Sequence, residues 1–385
     1  MVEKFNATKG FDQKHNETEK TYLPSSAQLL DRFRDHAAKT IQQPYLSHPS
    51  EDYSLRLRHT TSASKPDKID ATLKSRGEIV ETGLSRDEFT APVTVNKYQF
   101  YNANLPTVHK QRSSPLEAID IDFYADGYTH VESEEPVAWR RFLNEFDLSD
   151  TDFEDVTGEV FTDNEWRAHQ QYRREHGGRE AFSPHREFET DIALGTILQY
   201  AKSRVNISRG RIPVVRLYGR SGSGKSHQLD LLRTGLREHD VPSQVISTDD
   251  YNVGTTELTR QNGGLHPANF DHAGVYDLAA ASRDTARLLN GESIRDRRFD
   301  FATSEPAYGN ERVAPPDNTV LFVEGLWARH DTFDFADLTF EIETPLATAI
   351  GRRITRDLID RPEFADPSSN LGYYLECAEP EYRGV

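Results

Sequence analysis

Ile212 to Ser226 reads IPVVRLYGRSGSGKS. Val214, Val215 and Leu217 predict a short apolar strand, and Leu229, Leu232 and Leu236 supply helical spacing after the glycines. Between strand and helix, Gly219, Gly224, Lys225 and Ser226 fit the spacing G-x-x-x-x-G-K-S/T, with Ser221, Gly222 and Ser223 completing the loop. A loop of this kind turns several backbone N–H groups toward one anion, and the helix behind it adds the positive end of its dipole. Lys225 is expected to reach the outer phosphates of a nucleoside triphosphate, and the Ser226 hydroxyl to hold Mg²⁺. Lys225 is also the only lysine after Lys202, in a half of the chain that otherwise uses arginine. A flexible turn beside an incidental lysine is the plainer alternative, and it leaves the strand and the helix without a reason.

Working outward, VISTDDYN predicts an apolar strand ending in Asp249 and Asp250. Carboxylates at the carboxyl end of a parallel strand sit beside the phosphate loop, where one can take a proton from an attacking hydroxyl or steer Mg²⁺. VLFVEGLWA is a second buried strand, and its Glu324 suits Mg²⁺ or the water around it. Asp277 to Leu289 reads as a helix stopped by Asn290-Gly291. Leu346 to Asp360 reads as another, carrying Arg352, Arg353 and Arg356 with Arg361 beyond. These arginines either close over transferred phosphate or pair with Asp357, Asp360 and Glu363 on the surface.

The order of these pieces, over residues 212 to 380, resembles the uridine kinase and phosphoribulokinase group. ISTDDY is similar to the group's strand that ends in the catalytic aspartate, which puts the base on Asp249. NFDH resembles its acceptor segment, through Asp271 and His272, and RRITRD resembles its arginine lid. RFDF stands where the group has Tyr-Asp-Phe, and VEGL resembles its Glu-Gly-Ile strand. The resemblance implies an α/β P-loop kinase with a parallel sheet, binding ATP and Mg²⁺. It would pass the γ-phosphoryl group to a small hydroxyl acceptor, a nucleoside among the options. Phe299, Ser304 and Pro306 depart from the group at positions that help bind the nucleoside, so uridine and cytidine are expected to be poor acceptors.

The first half is read by its strands. Tyr53 to Arg58 alternates Leu55 and Leu57 with Ser54, Arg56 and Arg58. Lys74 and Arg76 share a side with Thr72, as Lys110 and Arg112 do with Val108. Asp120 and Asp122 fall between Ile119, Ile121 and Phe123, and Glu132 shares a face with Glu134. Period-two alternation sends each set to one side of a sheet. A solvated outer face explains any one strand, but solvated faces mix both signs with neutral polar residues. Basic middle strands and acidic end strands suit an antiparallel barrel closed around an anion and its metal; eight strands enclose one small ligand.

The pieces ETEKTYLP, YSLRLR, ATLKSRGE, TVHKQR, AIDIDFY and HVESE, in that order, resemble the CYTH family of triphosphate tunnel metalloenzymes over about residues 15 to 175. The resemblance implies that Glu17, Glu19, Glu132 and Glu134 hold Mg²⁺ or Mn²⁺, and that Arg56, Arg58, Lys74, Lys110 and Arg112 grip a triphosphate. Lys20 falls one residue before the family's lysine, and Thr21 stands in its place. A shift of one residue turns a side chain to the other face of a strand.

At 385 residues with a net charge of −17, the chain has room for two domains and no bulk attraction to nucleic acid or anionic membranes. Cys377 is the single cysteine, which excludes an intrachain disulfide. The polar start and the lack of a long apolar run predict neither a signal peptide nor a membrane span, and hence a cytoplasmic protein. The expected organisation is a disordered lead-in (1–15), an α+β triphosphate-tunnel barrel (16–178), a linker with a connecting helix (179–205) and the kinase domain (206–385). Ile192, Leu194, Ile197 and Leu198 are the residues of that connecting helix expected to be buried. The expected partners are small molecules, with the oligomeric state left open. Two rival readings stand: a regulatory protein that senses nucleotide and polyphosphate without turnover, or a class IV-type adenylate cyclase activity in the barrel.

Overall fold

Alternating charge and aliphatic residues in the first half close into a barrel. The computed structural model describes residues 16–102, 104–182, 187–207, 212–264, 269–316, 318–360 and 366–384. The lead-in expected over 1–15, Arg361 and Glu363, and the side chains of Glu17 and Asp360, lie outside the described residues. The strands are β1 (Asn16–Pro24), β2 (Lys39–Pro44), β3 (Tyr53–Ser62), β4 (Lys65–Ser75) and β5 (Glu78–Val80). They continue with β6 (Gly83–Pro92), β7 (Thr107–Leu116), β8 (Ile119–Tyr124), β9 (Thr129–Ser133) and β10 (Phe153–Asp155). Around the wall the order is β1-β9-β8-β7-β2-β3-β4-β6, and β6 pairs back onto β1. This closed antiparallel barrel of eight strands has β5 and β10 as short additions at β6 and β1.

Cross-strand register sorts the two faces. Leu55 faces Leu73 and Leu57 faces Ala71 on the outside, while Arg56 faces Thr72 and Arg58 faces Asp70 on the inside. The outer face is covered as well. Helix α1 (Asp31–Arg34), α2 (Val95–Tyr101), α3 (Pro136–Glu145) and α4 (Asn164–Glu175) belong to this half. Trp139 and Phe142 of α3 pack on Ile119, Ile121 and Val131.

The second half is built on four parallel strands, ordered β12 (Ser243–Ser247), β15 (Val320–Glu324), β11 (Val214–Tyr218) and β16 (Leu338–Glu341). Strands β13 (Ile294–Asp300) and β14 (Glu305–Arg312) form a separate hairpin. On one face of the sheet, α5 (Thr190–Ile207) and α6 (Lys225–Glu238) bury Ile197, Leu232 and Leu236 against Val215 and Phe322. Of the four residues expected to be buried on the connecting helix, Ile197 and Leu198 are, Leu194 is partly so, and Ile192 is 63% exposed. On the other face, α8 (Leu278–Leu289) packs on Val214, Leu321 and Val323, and the short α7 (Thr255–Gln261) lies before it in the chain.

Helix α9 (Leu346–Asp360), with α10 (Pro367–Tyr373) and α11 (Glu379–Arg383), ends the chain. Leu346, Ile350 and Ile354 of α9 join Leu55, Leu57, Leu73 and Ala91 of the barrel wall in one apolar core. Among the described residues, no helix is long and apolar enough to cross a membrane.

Candidate functional site

The glycines of the 219–224 loop are required by its geometry. Gly222 has φ +79°, and a Cβ there would lie 2.1 Å from the carbonyl oxygen of Ala349. Lys225 opens α6, and its Nζ donates to the carbonyls of Gly219 and Arg220, each at 2.9 Å. Burial lowers the Lys225 pKa, while Asp249 and Glu324 nearby pull it back up. The Ser223 hydroxyl is buried with no hydrogen-bond partner among the described residues. A curled backbone, a half-buried lysine and an orphaned hydroxyl fit a bound phosphate chain. Ser226 is exposed at the second position of α6.

Two carboxylates face Lys225, Glu324 from the end of β15 and Asp249 from the turn after β12. Glu324, at the end of β15, accepts from the Ser247 hydroxyl at 2.6 Å. Burial, and then the charge of Asp249, raise its pKa to about 7. Asp249 and Asp250 do not end the strand as expected: β12 stops at Ser247, and both lie on a tight turn over Thr248–Tyr251. The turn separates them. Asp250 accepts from the backbone N–H of Phe299 at 3.2 Å and lies 3.7 Å from Arg298, so it serves the β13–β14 hairpin.

The arginines of α9 divide. Arg353 lies 3.7 Å from Asp271 and 3.7 Å from Asp357, and Arg356 bonds Asp357 at 2.8 Å. Arg356 also bears electrostatically on Lys225. Arg352 is exposed, with its Nη1 3.7 Å from where a Cβ on Gly224 would sit. Asp271 is brought to the same place, hydrogen-bonded by Tyr373. His272 is exposed and its Nδ1 accepts from the backbone N–H of Gly274, so it caps its own turn. Phe299 pairs with Pro306 across the hairpin, and the Ser304 carbonyl accepts from Thr255 N–H at 2.9 Å.

Inside the barrel the charges are mostly matched, contrary to the expectation of five cations awaiting an anion. Lys74 pairs with Glu88 at 2.6 Å, and Arg56 lies 3.9 Å from the same carboxylate. Lys110 and Arg112 meet Asp122 at 2.5 and 2.6 Å, and Arg112 also reaches Glu132 at 2.7 Å. Burial alone would raise Asp122, but Arg112 and Lys110 hold it well below the usual carboxylate range. Arg58 has no carboxylate within 4 Å among the described residues, only the Gln43 side-chain oxygen at 3.4 Å. Arg56 beside it, then burial and Arg112, lower its pKa to about 10. Arg58 opens into a cleft of about 830 Å³ whose lining includes Arg32, Lys39, Lys65, Lys68 and Arg112 and, among the described residues, the single carboxylate Asp70.

Of the expected metal ligands, Glu19 is tied to Arg86, and Glu132 lies 3.2 Å from His130. Glu134 is exposed just beyond β9; partial burial, then Asp120, Glu19, Glu132 and Glu88, raise its pKa. Carboxylates from β1, β6, β8 and β9 therefore converge near one end, a donor set that fits a hard divalent cation. Sequence reasoning missed His130, Asp70 and Glu88. His130 was within reach, because alternation puts it on the face of Glu132. Lys20 points outward to Asp155 at 3.0 Å, and Thr21, the register partner of Glu132, takes the interior position.

Residues 214–366 match the profile of the Phosphoribulokinase / Uridine kinase family. Uridine kinase-like protein 3 of Arabidopsis thaliana is 26% identical over 174 residues, which are 44% of this chain and 35% of that protein. Uridine-cytidine kinase C of Dictyostelium discoideum is 26% identical over 177 residues, 46% of this chain and 36% of that protein. The matches thus span about a third of the length of these two curated relatives. A solved structure of the inorganic triphosphatase NE1496 is 23% identical, covering 40% of this chain and 93% of that one, with a TM-score of 0.26. The C-terminal half carries a phosphoribulokinase/uridine kinase domain, and the N-terminal barrel is identified by its own strand pairings.

Proposed function

We propose that the C-terminal domain (206–385) transfers the γ-phosphoryl group of ATP to a small hydroxyl acceptor. We propose further that the barrel domain (16–178), joined to it through 179–205, binds and hydrolyses triphosphate with a divalent metal. The carrying observation for the kinase is the half-buried Lys225 at the glycine loop, faced by Asp249 and Glu324. Asp249 would take the proton of the acceptor hydroxyl as its oxygen bonds the γ-phosphorus and the bond to the β-phosphate oxygen breaks. Lys225 and the α9 arginines would offset the charge on the transferred group, with Asp271 positioning the acceptor. Ser226 and Glu324 would hold Mg²⁺, which supplies charge neutralisation at the phosphates. Phe299, Ser304 and Pro306 serve the hairpin, which supports uridine and cytidine being poor acceptors. A cytoplasmic setting belongs to the same reading, since ATP is the donor.

For the barrel, the carrying observation is Arg58, a cation with no carboxylate partner among the described residues that opens into a basic cleft. The outward Lys20 favours a second reading, in which triphosphate is bound and not turned over. Product analysis of the full chain with ATP, Mg²⁺ or Mn²⁺, and a panel of hydroxyl acceptors and polyphosphates tests all of this. ADP formed only with an acceptor supports the kinase, phosphate from triphosphate supports the hydrolase, and cyclic AMP with pyrophosphate would instead make the barrel a cyclase. Lys225→Ala should lose ATP binding. Asp249→Asn should keep ATP binding and lose transfer, because an amide cannot take the proton; transfer at the wild-type rate removes Asp249 as the base.

A further inference from the structure

Outside both sites, His48, His169 and Glu180 meet where the β2–β3 loop, α4 and the segment after α4 converge. Each offers one ligand atom, and these atoms lie within 4.8 Å of one another. His169 is only 3% exposed. Its Nε2 lies 2.9 Å from the carbonyl oxygen of Ser47. A carbonyl can only accept, so Nε2 carries the proton and Nδ1 keeps its lone pair. Nδ1 is buried and has no hydrogen-bond partner among the described residues. A buried acceptor left unmet is costly, so such an atom calls for a ligand.

We propose that His48, His169 and Glu180 form a binding site for a zinc-class divalent ion, distinct from the phosphate loop and the barrel interior. Two imidazoles and one carboxylate, with a further position for water, are a donor set that suits zinc over magnesium. A ring N–H fixed on a backbone carbonyl is the usual outer support of a metal-ligating histidine. His48 is held differently: its Nδ1 accepts from the Ser50 backbone N–H at 3.2 Å and lies 2.7 Å from the Ser50 hydroxyl. A tautomer shift that moves the ring proton to Nδ1, donated to that hydroxyl, would free Nε2 to ligate. Glu180 is steadied through one oxygen by Arg173 at 3.2 Å. Burial lowers the His169 pKa, which keeps the ring neutral and able to ligate at neutral pH. Tetrahedral zinc, with bonds of about 2.1 Å, sets its ligand atoms roughly 3.4 Å apart, so rotation of the more exposed His48 and Glu180 closes the site. The cluster of Asp122, His130 and Glu132 in the barrel is a poorer zinc site, because Asp122 is already held by Lys110 and Arg112.

The probe is Co²⁺, titrated into metal-stripped full-length protein in excess Mg²⁺, followed by visible absorption and by Zn²⁺ competition. One equivalent should bind without thiolate bands, be displaced by Zn²⁺, and raise the melting temperature. Glu180→Gln and His48→Ala change accessible side chains and should each weaken binding at least tenfold, while His130→Ala should leave it intact. His169→Ala vacates a buried position and can unfold the protein, so Glu180→Gln and His48→Ala decide the question. Absence of binding above the Mg²⁺ background, wild-type affinity in both variants, loss of binding in His130→Ala, or thiolate bands from Cys377 would each overturn the site.

Discussion

Arg58 is the residue on which the barrel's chemistry turns. Its neighbours Arg56, Lys74, Lys110 and Arg112 each have a carboxylate within 4 Å, and Arg58 has only Gln43 among the described residues. Like charges beside it, from Arg56 above all, already depress its pKa. Removing the charge should therefore leave the ligand-free protein as stable as before or somewhat more so. Removing it should also take away a cation that no carboxylate within 4 Å among the described residues satisfies and that an incoming anion would. Arg58→Gln is expected to bind triphosphate at least tenfold more weakly and to lose most of the triphosphate-induced rise in melting temperature. The unliganded melting temperature should hold or increase. A variant that melts several degrees lower without ligand, yet keeps the full ligand-induced rise, would make Arg58 a structural residue. Alternation in YSLRLR was enough to turn Arg58 inward, but its counter-ions were not legible. Asp70 and Glu88 act on it from beyond 4 Å and stand on other strands, and cross-strand neighbours depend on register that a single strand does not encode.

At the scale of elements, β1 shows how one residue of register decides chemistry. Tyr22 pairs with Val131, Thr21 with Glu132 and Lys20 with Ser133, so Lys20 is committed to the outer face and to Asp155. Exchanging the two residues, Lys20→Thr with Thr21→Lys, would place an ammonium group beside Glu132 without changing the strand. If the barrel binds triphosphate without turning it over, this exchange is expected to raise phosphate release at least tenfold with affinity little changed. Unchanged release from a variant that still binds would clear Lys20 of responsibility. The displacement of Lys20 was readable from ETEKT, because strand period allows no slack. Helices were equally plain where one face is apolar: α9 spans Leu346–Asp360 as the spacing predicts. The connecting helix was less so, because Ile192 fits the pattern yet faces solvent. Which apolar residues a helix buries depends on what it packs against, and that lies elsewhere in the chain.

For the whole molecule, the two halves share a core that neither motif set announced. Helix α9 is buried along nearly all of its first half because it is held from two sides. On one side the Ala349 carbonyl presses on the phosphate loop at Gly222; on the other, Gly351 lies flush on Tyr53 of the barrel wall. A Cβ on Gly351 would come within 2.5 Å of the Tyr53 ring. Since Ile350 and Ile354 also sit in the apolar core with Leu55, Leu57 and Leu73, α9 cannot retreat from the barrel without leaving that core. Gly351→Ala should therefore push α9 toward the phosphate loop or strain it in place, lowering stability by about 1–3 kcal/mol as overpacking does. ATP affinity should fall with it, because Ala349 and Gly222 have no room between them. Tyr53→Ala alone should cost stability by leaving a gap. Together the two changes should cost clearly less than their sum, since the new methyl group fills the space the ring vacates. Denaturant midpoints give the first part of this cycle, and ATP titration of the same four proteins gives the second. Additive losses in stability would mean that α9 and Tyr53 do not bear on one another. Coupled stability with ATP affinity unchanged throughout would mean that the contact ends at the barrel wall and does not reach the phosphate loop.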